Sequence, residues 1–394
     1  MVPVKVIRAK RSRASFVENP ANDHAPDTGS KPVNQMTHPD HMAANHTVNN
    51  DIMEHLSKDP TIKQRRNEYD VTGTVRVTLV DEVRLAVRRL FISIYPQKSM
   101  RQIDQAFELF EALFTGHYQN FKAYDTPYHD MQHTLDMTLT TARMAVGYYH
   151  TYRKRRTDAQ NIPFEYAKLA VIISLFHDAG YIVQSADRRC LHGAEYTKTH
   201  VSRGARFIKN HVVDIIGRRQ AEIASRLIHF TGYEQPVKDI HINNPAEYTL
   251  GSVVATADLI TQMADRCYLE KCRDRLYPEF VLADMTVDKK NKQLLFESAA
   301  DLLMKTPAFY QRDVRKRINK TFRGVHRYLE ALYEGSNPYL DSIQKHIDFV
   351  NQHDKLTILP ALRRTPPDNH AVRRLSQTYI QQREERSRQI ILPS

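Results

Sequence analysis

The sequence predicts an all-α protein, and three observations favour this fold class. Gly is scarce, with 12 in 394 residues, and Trp is absent, whereas all-β sandwiches and barrels depend on frequent Gly-containing turns. From about residue 76, apolar residues recur at steps of three and four, which is the helical period. Convincing strand alternation is missing. The 41% hydrophobic content is enough for helices packed around a sizeable core.

The first helix is expected from about residue 76, where Val80, Val83, Val87 and Leu90 follow the helical period. Segments that contain Pro, Gly or Asn separate it from the helices that follow. Further helices are predicted over 101–121, 129–153, 163–178, 194–210, 212–230, 247–270, 291–305, 308–335, 338–352 and 370–389.

Composition divides the chain into three parts. Residues 1–72 are rich in Asn, Pro, His, Asp and Thr and lack an apolar period, which predicts a disordered N-terminal arm. Residues 75–355 carry the periodic segments and are expected to form the core with the chemistry. Residues 356–394 are expected to form a basic helical C-terminal tail. Because its last helix has little apolar surface, we expect removal of residues 366–394 to leave the chemistry nearly unchanged.

Charge and cysteine content narrow the class of protein. The formal net charge is +12, and residues 311–394 hold 16 Lys and Arg against 9 Asp and Glu. Such a region is either simply solvated or contacts nucleic acid or an acidic partner. Three cysteines exclude a disulfide framework and favour a reducing compartment. The longest apolar run, 169–176, is too short to span a membrane, so we expect a cytoplasmic protein. The oligomeric state stays open.

Two local motifs carry candidate chemistry. His129 and His133 are four residues apart at the start of a predicted helix, so both imidazoles lie on one face. Adjacent His177 and Asp178 end the apolar run 169–176. A carboxylate beside such a run needs a partner, because burying an unpaired charge is costly, and a metal ion supplies one. The alternatives are ordinary packed histidines and a helix that ends at the surface.

A third candidate metal ligand is an aspartate farther along the chain. Asp258 interrupts an apolar helical face and is the kind of residue that a mixed His and Asp site requires as a further ligand. Asp265 follows seven residues later on a similar face. The spacing alone leaves Asp265 as a competing candidate.

The order of His, His-Asp and Asp on successive helices resembles the HD-domain metal-dependent phosphohydrolase superfamily. The segment 127–133 is also similar to the metal-site opening of cyclic nucleotide phosphodiesterases, with Asp130 where that motif has Asn. The resemblance covers about residues 100–335. It implies an HD-domain helical bundle and an enzyme that hydrolyses a phosphate ester of a nucleotide or related small molecule.

Carried over to this chain, the resemblance implies a general acid, His129, that protonates the leaving oxygen. It also implies one or two divalent ions, with Mn, Fe, Co, Zn and Mg all compatible, and a bridging role for Asp178 if two are present. The implied metal ligands are His133, His177, Asp178 and Asp258. Ala179-Gly180-Tyr181 departs from the phosphodiesterase pattern after His-Asp, and Gln262 is too close to Asp258 to hold a purine. Cyclic nucleotide specificity is therefore not expected.

A second polar group lies between His177-Asp178 and Asp258. Within it, Glu195 is the preferred catalytic candidate, as a carboxylate that positions water, and Arg203 is a candidate for holding phosphate. The alternative is that these residues are packed or exposed without function. The other candidates for a role beside the metal are His192, His200 and His229.

Two further interpretations concern aromatic and charged residues. Four tyrosines form either a wall that binds a base or sugar, or part of the core: Tyr128, Tyr181, Tyr233 and Tyr268. The charged residues of 269–280 are expected to be solvated. The rival to an enzyme is a non-catalytic HD-type regulatory module, which binds a metal or nucleotide and uses its basic tail for an acidic partner.

Overall fold

The computed structural model describes residues 66–154, 162–188, 190–288 and 293–389. Helices dominate these residues, which confirms the all-α fold class. Strand structure within the described ranges is limited to one antiparallel pair, β1 (Val287–Asp288) and β2 (Gln293–Leu294), and two isolated bridges. Residues 1–65 of the predicted N-terminal arm lie outside the described residues.

Fifteen α-helices follow one another along the described ranges. The first seven are α1 (Val80–Ile94), α2 (Arg101–Phe114), α3 (Met131–Lys154), α4 (Phe164–Phe176), α5 (His200–Phe207), α6 (Val213–Ile216) and α7 (Arg218–Leu227). The next eight are α8 (Pro245–Ala264), α9 (Tyr268–Lys271), α10 (Tyr277–Leu282), α11 (Ala299–Phe309), α12 (Pro338–Asn351), α13 (Ile358–Ala361), α14 (His370–Arg374) and α15 (Gln377–Gln389).

Tighter and wider helical turns connect several of these helices. The 3-10 turns are Arg66–Glu68, Ala179–Tyr181, Gly193–Tyr196, Ile228–Phe230, Val237–Asp239 and Val325–Ala331. The π-helical turns are Ile208–Val212, Cys272–Leu276, Tyr310–Val314 and Arg317–Thr321.

Three helices form the centre of the fold. Helix α3 packs against α1, α4, α8 and the turn Val325–Ala331, and α8 packs against α3, α4 and α12. Most residues of α4 and of α8 are buried. A helix that is apolar on all sides is typical of a protein interior. The helices that carry the candidate ligands are thus the innermost ones.

Several predicted helices are shorter or interrupted, and the start of the one expected over 291–305 forms β2 instead. Two of them show the cause. The helix expected over 101–121 stops at the end of α2, because Gly116 adopts a φ of +79°, which other residues rarely adopt. The helix expected over 308–335 contains π-helical turns and breaks at Arg323 and Gly324, which both have positive φ. Both breaks are backbone features that apolar spacing does not report.

The described parts of both terminal regions pack on the helical core. Asp70 is 3% exposed and accepts a hydrogen bond of 2.7 Å from Arg143 of α3. Ala371 and Ile380 of the predicted tail are buried. All described residues belong to one compact unit, Leu56–Ser394. The boundaries at 72 and 356 stay predictions, but the described residues beyond them are not detached from the core.

The described residues contain neither a candidate membrane span nor a disulfide bond. Within the described ranges, no helix has both the length and the apolar content that crossing a bilayer requires. The three cysteines are free thiols, as the absence of a disulfide framework predicts.

Candidate metal centre

The candidate ligands come from the three central helices. His133 lies in the first turn of α3, His177 directly follows α4, and Asp178 is the next residue. Asp258 lies in the middle of α8. Their exposed fractions are only 2–8%, so the helix packing places four polar side chains in the interior.

Three of these side chains form a tight cluster. Nε2 of His133 lies 3.3 Å from Nε2 of His177. Oδ2 of Asp178 lies 3.0 Å from Nε2 of His177 and 3.8 Å from Nε2 of His133. One potential ligand atom from each residue therefore lies within 4.8 Å of the others, so the group could hold a metal ion.

Asp258 joins the cluster, whereas Asp265 does not. Oδ1 of Asp258 lies 3.3 Å from Nε2 of His133 and 3.9 Å from Nε2 of His177. Asp265 forms an ion pair with Lys271 and accepts a hydrogen bond from the Cys267 backbone. Geometry therefore favours Asp258 over its competitor as a fourth donor.

The donor set suits a divalent cation. Nδ1 of His177 donates to the Ser174 carbonyl at 2.8 Å, which leaves Nε2 to face the cluster. Oδ2 of Asp178 is buried without a hydrogen-bond partner among the described residues. Burial favours a raised pKa for Asp178, but the adjacent His177 and His129 hold that pKa well below its usual range. An ionised carboxylate that faces two imidazole nitrogens matches sites for ions such as Zn, Mn or Fe.

Gln262 supports the fourth donor, and sequence reasoning missed this role. Its Nε2 donates to Oδ1 of Asp258 at 3.3 Å, and its Oε1 accepts the Tyr128 hydroxyl at 3.2 Å. Gln262 and Asp258 are four residues apart on α8, and that spacing is the sequence signal for such a pair. Tyr128 and Gln262 thus link the loop before α3 to the Asp258 carboxylate.

The predicted general acid His129 lies beside the cluster and is paired with Glu279 of α10. Nδ1 of His129 donates to Oε1 of Glu279 in a short contact. Oε2 of Glu279 also accepts the backbone N–H groups of Tyr128 and His129, at 2.8 and 3.3 Å. Burial alone favours a lowered pKa for His129, but the Glu279 and Asp178 carboxylates raise it to about 9. His129 is therefore an imidazolium at neutral pH.

Glu279 belongs to a segment in which most charged residues are buried, contrary to the expectation that they are solvated. Within 269–280, four charged residues are only 1–5% exposed: Glu270, Lys271, Arg275 and Glu279. Buried charges are paired in proteins, and these bind groups on distant parts of the chain. Three of them recur every four residues, and that spacing is the signal that could have indicated a single inward-facing side.

Tyr181 is stacked between two histidines rather than forming a wall for a base. Its ring centroid lies 4.7 Å from that of His129 and 4.4 Å from that of His200, with nearly parallel planes. Tyr128 and Tyr268 are buried as well, whereas Tyr233 is 66% exposed and contacts Arg317. The four tyrosines therefore do not form one surface.

His200 is the member of the second polar group that reaches the cluster. Its Nε2 lies 3.9 Å from Oδ1 of Asp178, and its Nδ1 donates to the Thr197 carbonyl at 2.8 Å. The close approach depends on Gly180, because a Cβ at that position would lie 1.8 Å from the His200 carbonyl oxygen. The glycine after His177-Asp178 thus lets α5 pack directly on the centre.

The other members of that group have local roles. Oε1 of Glu195 accepts the backbone N–H groups of Leu191 and His192 at 3.0 and 3.2 Å, so Glu195 caps its own turn. The catalytic role predicted for it gains no support from these contacts and stays a prediction. Arg203 donates to the Gly180 and Ile182 carbonyls and stacks on a tyrosine; its expected phosphate-binding role gains no support from these contacts and also stays a prediction.

His192 and His229, the remaining histidines of the group, have partners or surroundings outside the cluster. Nδ1 of His192 lies 3.7 Å from Oδ2 of Asp125. Nδ1 of His229 is buried without a hydrogen-bond partner among the described residues, and burial lowers the pKa of His229. Among the described residues, neither histidine forms a hydrogen bond or an ion pair with the four-residue cluster.

Comparisons with known proteins add one finding. A family model described as Npun_R2479-like matches residues 188–353, which is less than half of the chain. The matched range includes Asp258 and Glu279 but excludes both histidine motifs of the centre. Among curated proteins and among solved structures, no match was found. The function therefore has to be argued from the geometry of the centre.

Proposed function

We propose that this chain is a metal-dependent phosphohydrolase of the HD type that cleaves a phosphate ester of a nucleotide or related small molecule. One observation carries the proposal: a buried cluster of two imidazoles and two carboxylates lies beside a histidine that a carboxylate keeps protonated. Free thiols also fit a reducing compartment such as the cytoplasm.

Four residues would hold a divalent ion: His133, His177, Asp178 and Asp258. Oδ1 of Asp178 lies 3.9 Å from Nε2 of His200, so Asp178 and His200 would help to hold a second ion. When bound, such ions supply an activated water and positive charge that stabilises the phosphoryl group during attack.

His129 would deliver the proton that the leaving oxygen needs. Because Nδ1 donates to Glu279, Nε2 is the ring nitrogen that is left to face the substrate. The Glu279 carboxylate keeps the ring charged until transfer and fixes its orientation. A positioned general acid contributes about 10²–10⁴-fold to a rate. Stacking against Tyr181 restricts the ring to one plane.

The surroundings of the centre argue against a phosphodiesterase-like purine site. Both ends of the Gln262 amide are used, one by Asp258 and the other by Tyr128. A base that bound Gln262 would have to displace these contacts. We therefore propose a phosphate ester as the substrate class and do not propose a cyclic purine nucleotide.

The test is metal-dependent turnover by the full chain. Protein stripped with a chelator should not hydrolyse bis(p-nitrophenyl) phosphate or a panel of nucleotides, and activity should return when Mn²⁺ or Mg²⁺ is added. His133→Ala should abolish this recovery. His117→Gln is the matched control, because His117 is exposed and its recorded side-chain contact is with nearby Thr115.

The alternative function predicts a different result. A non-catalytic regulatory module would bind Mn²⁺ or a nucleotide, and His133→Ala would remove the binding, but no substrate in the panel would turn over. That combination would refute the enzyme and support the regulatory module.

A further inference from the structure

The segment that follows α13 returns to the loop that carries His129. Asn369, which is 4% exposed, donates from Nδ2 to the Pro127 carbonyl at 3.0 Å and to Oδ2 of Asp130 at 2.9 Å. Nε2 of His370 donates to the Tyr124 carbonyl at 2.8 Å. Two consecutive residues of the predicted tail thus contact the loop before α3.

Arg275 also contacts both Asp130 and the segment that follows α13. It is 3% exposed, donates at 2.8 Å to the same Oδ2 of Asp130, and also donates to the Pro367 carbonyl. One carboxylate oxygen therefore joins Arg275 and Asn369. We call Asp130, Arg275 and Asn369 the Asp130 junction.

The second oxygen of Asp130 connects the junction to the metal centre. Oδ1 accepts the backbone N–H of His133 at 2.9 Å, so Asp130 is the N-cap of α3, and the N–H that it caps belongs to a candidate ligand. Its neighbour in sequence is His129. A shift of Asp130 would be transmitted to both histidines, because it lies directly between them in the chain.

Because the Asp130 junction is buried, its charged and polar atoms require partners within the protein. Asp130 is 3% exposed, and a buried carboxylate requires partners for each oxygen, since an unsatisfied charged group is destabilising. Arg275 neutralises the charge, while Asn369 supplies a donor that fixes its direction. This arrangement also accounts for Asp at a position where the resembling phosphodiesterase motif has Asn: the guanidinium of Arg275 calls for a charged partner.

We propose that Asn369 and Arg275 are positioning residues that hold Asp130 and so fix His133 and His129 relative to each other. On this proposal the segment 365–371 supports the centre, so, contrary to the expectation from the sequence, removal of the tail should impair the chemistry. The effect on turnover rests on the proposed function, but the effect on the backbone of His133 does not.

The most informative variant is Asn369→Ser. Oδ1 of Asn369 also caps α14 by accepting the Ala371 N–H at 2.8 Å, and Ser keeps a helix cap while losing the donor to Asp130. Arg373→Ala is the control on the same helix, because the Arg373 side chain is 68% exposed and pairs with Asp368. Arg275→Lys is a second variant that keeps the charge and loses the bridge to Pro367.

Three measurements on the full chain decide the matter. In Asn369→Ser, amide hydrogen exchange of a peptide that spans 129–137 should accelerate about tenfold, as expected for loss of a hydrogen bond to a charged group. A peptide from α12 should be unchanged. Mn²⁺ affinity should fall about tenfold, as for other residues that orient metal ligands. Turnover should fall in kcat with KM nearly constant.

Each other outcome has a definite meaning. If exchange and Mn²⁺ affinity in Asn369→Ser equal those in Arg373→Ala, the positioning role is refuted. If exchange accelerates equally in α12, the role is merely structural and the proposal is also refuted. If wild-type protein binds Mn²⁺ without turnover, the hydrolase fails while the exchange result still tests the junction. If it binds no Mn²⁺, the exchange result alone decides.

Discussion

The two sides of the candidate centre differ in how their charges are balanced. On one side, His133, His177, Asp178 and Asp258 point donor atoms at one another across 3.0–3.9 Å, and only 2–8% of each residue is exposed. On the other, His129 and Glu279 form a complete ion pair, and the histidine side chain is 18% exposed.

This difference in charge balance suits one side to metal binding and the other to proton transfer. A set of converging donor atoms is balanced by a cation, whereas the His129–Glu279 pair already balances its own charge and leaves one nitrogen for a substrate. Changes on the first side should therefore affect metal binding, and changes on the second should affect rate alone. The following predictions test this separation, from the largest expected effect to the smallest.

Asp178→Ala should abolish both metal binding and turnover. The carboxylate lies between both histidines and His200, so its removal takes away the donor that the whole cluster shares. Titration calorimetry with Mn²⁺ measures the binding directly. Asp214→Asn, at an exposed position of α6, is the control and should bind as the wild type does. Wild-type affinity in Asp178→Ala would remove Asp178 from the ligand set.

His129→Ala should keep the metal and lose rate. The expected decrease in kcat is about 10²–10⁴-fold, which is the usual contribution of one general acid, while Mn²⁺ affinity stays within a factor of a few. Calorimetry and steady-state kinetics on the same preparation check both quantities. If metal is lost together with rate, His129 is a ligand and the two sides of the centre are not separable.

Glu279→Gln should move the pH profile. With its pKa raised to about 9, His129 is protonated at neutral pH, so the rate of the wild type should fall only as the pH rises through about 9. Without the carboxylate the pKa of His129 falls, and the descending limb should move to lower pH. Measurement of kcat against pH checks this shift. An unmoved limb would mean that the limb reports a different group.

Gln262→Ala should have the smallest effect, and on the metal side. It removes the amide that orients Asp258 but no donor atom, and loss of such an orienting contact typically weakens metal affinity by about 10–100-fold. The alkaline limb of the pH profile should stay in place, since His129 and Glu279 are untouched. An altered limb with unchanged Mn²⁺ affinity would reverse the assignment of Gln262.

Sequence reasoning reached the fold class because the apolar period is a local pattern. The spacing of His129 and His133 and the His177-Asp178 pair marked two motifs, and the structure brings His133, His177 and Asp178 of these motifs together. It left Asp258 and Asp265 unresolved, since both interrupt an apolar helix. The structure separates them, because Asp258 lies beside His133 and His177 whereas Asp265 pairs with Lys271.

The residues that support the centre could not be found in this way. Glu279 bonds His129 across 150 positions of sequence, and Asn369 bonds Asp130 across 239. No local period connects such distant positions. The charge count of the tail drew attention to its arginines, whereas the residue that contacts Asp130 is the uncharged Asn369. A side chain that orients another through one hydrogen bond leaves no compositional signal.

The distance along the chain between Asp130 and Asn369 sets an order of events during synthesis. Ribosomes add about 5–20 residues per second, so roughly 10–50 s pass between the two residues. During that interval the emerging α3 has its cap but lacks the donor that fixes the cap's direction. The centre can therefore be completed only after all of its innermost helices have been synthesised. Contacts of this range are also the slow ones in folding.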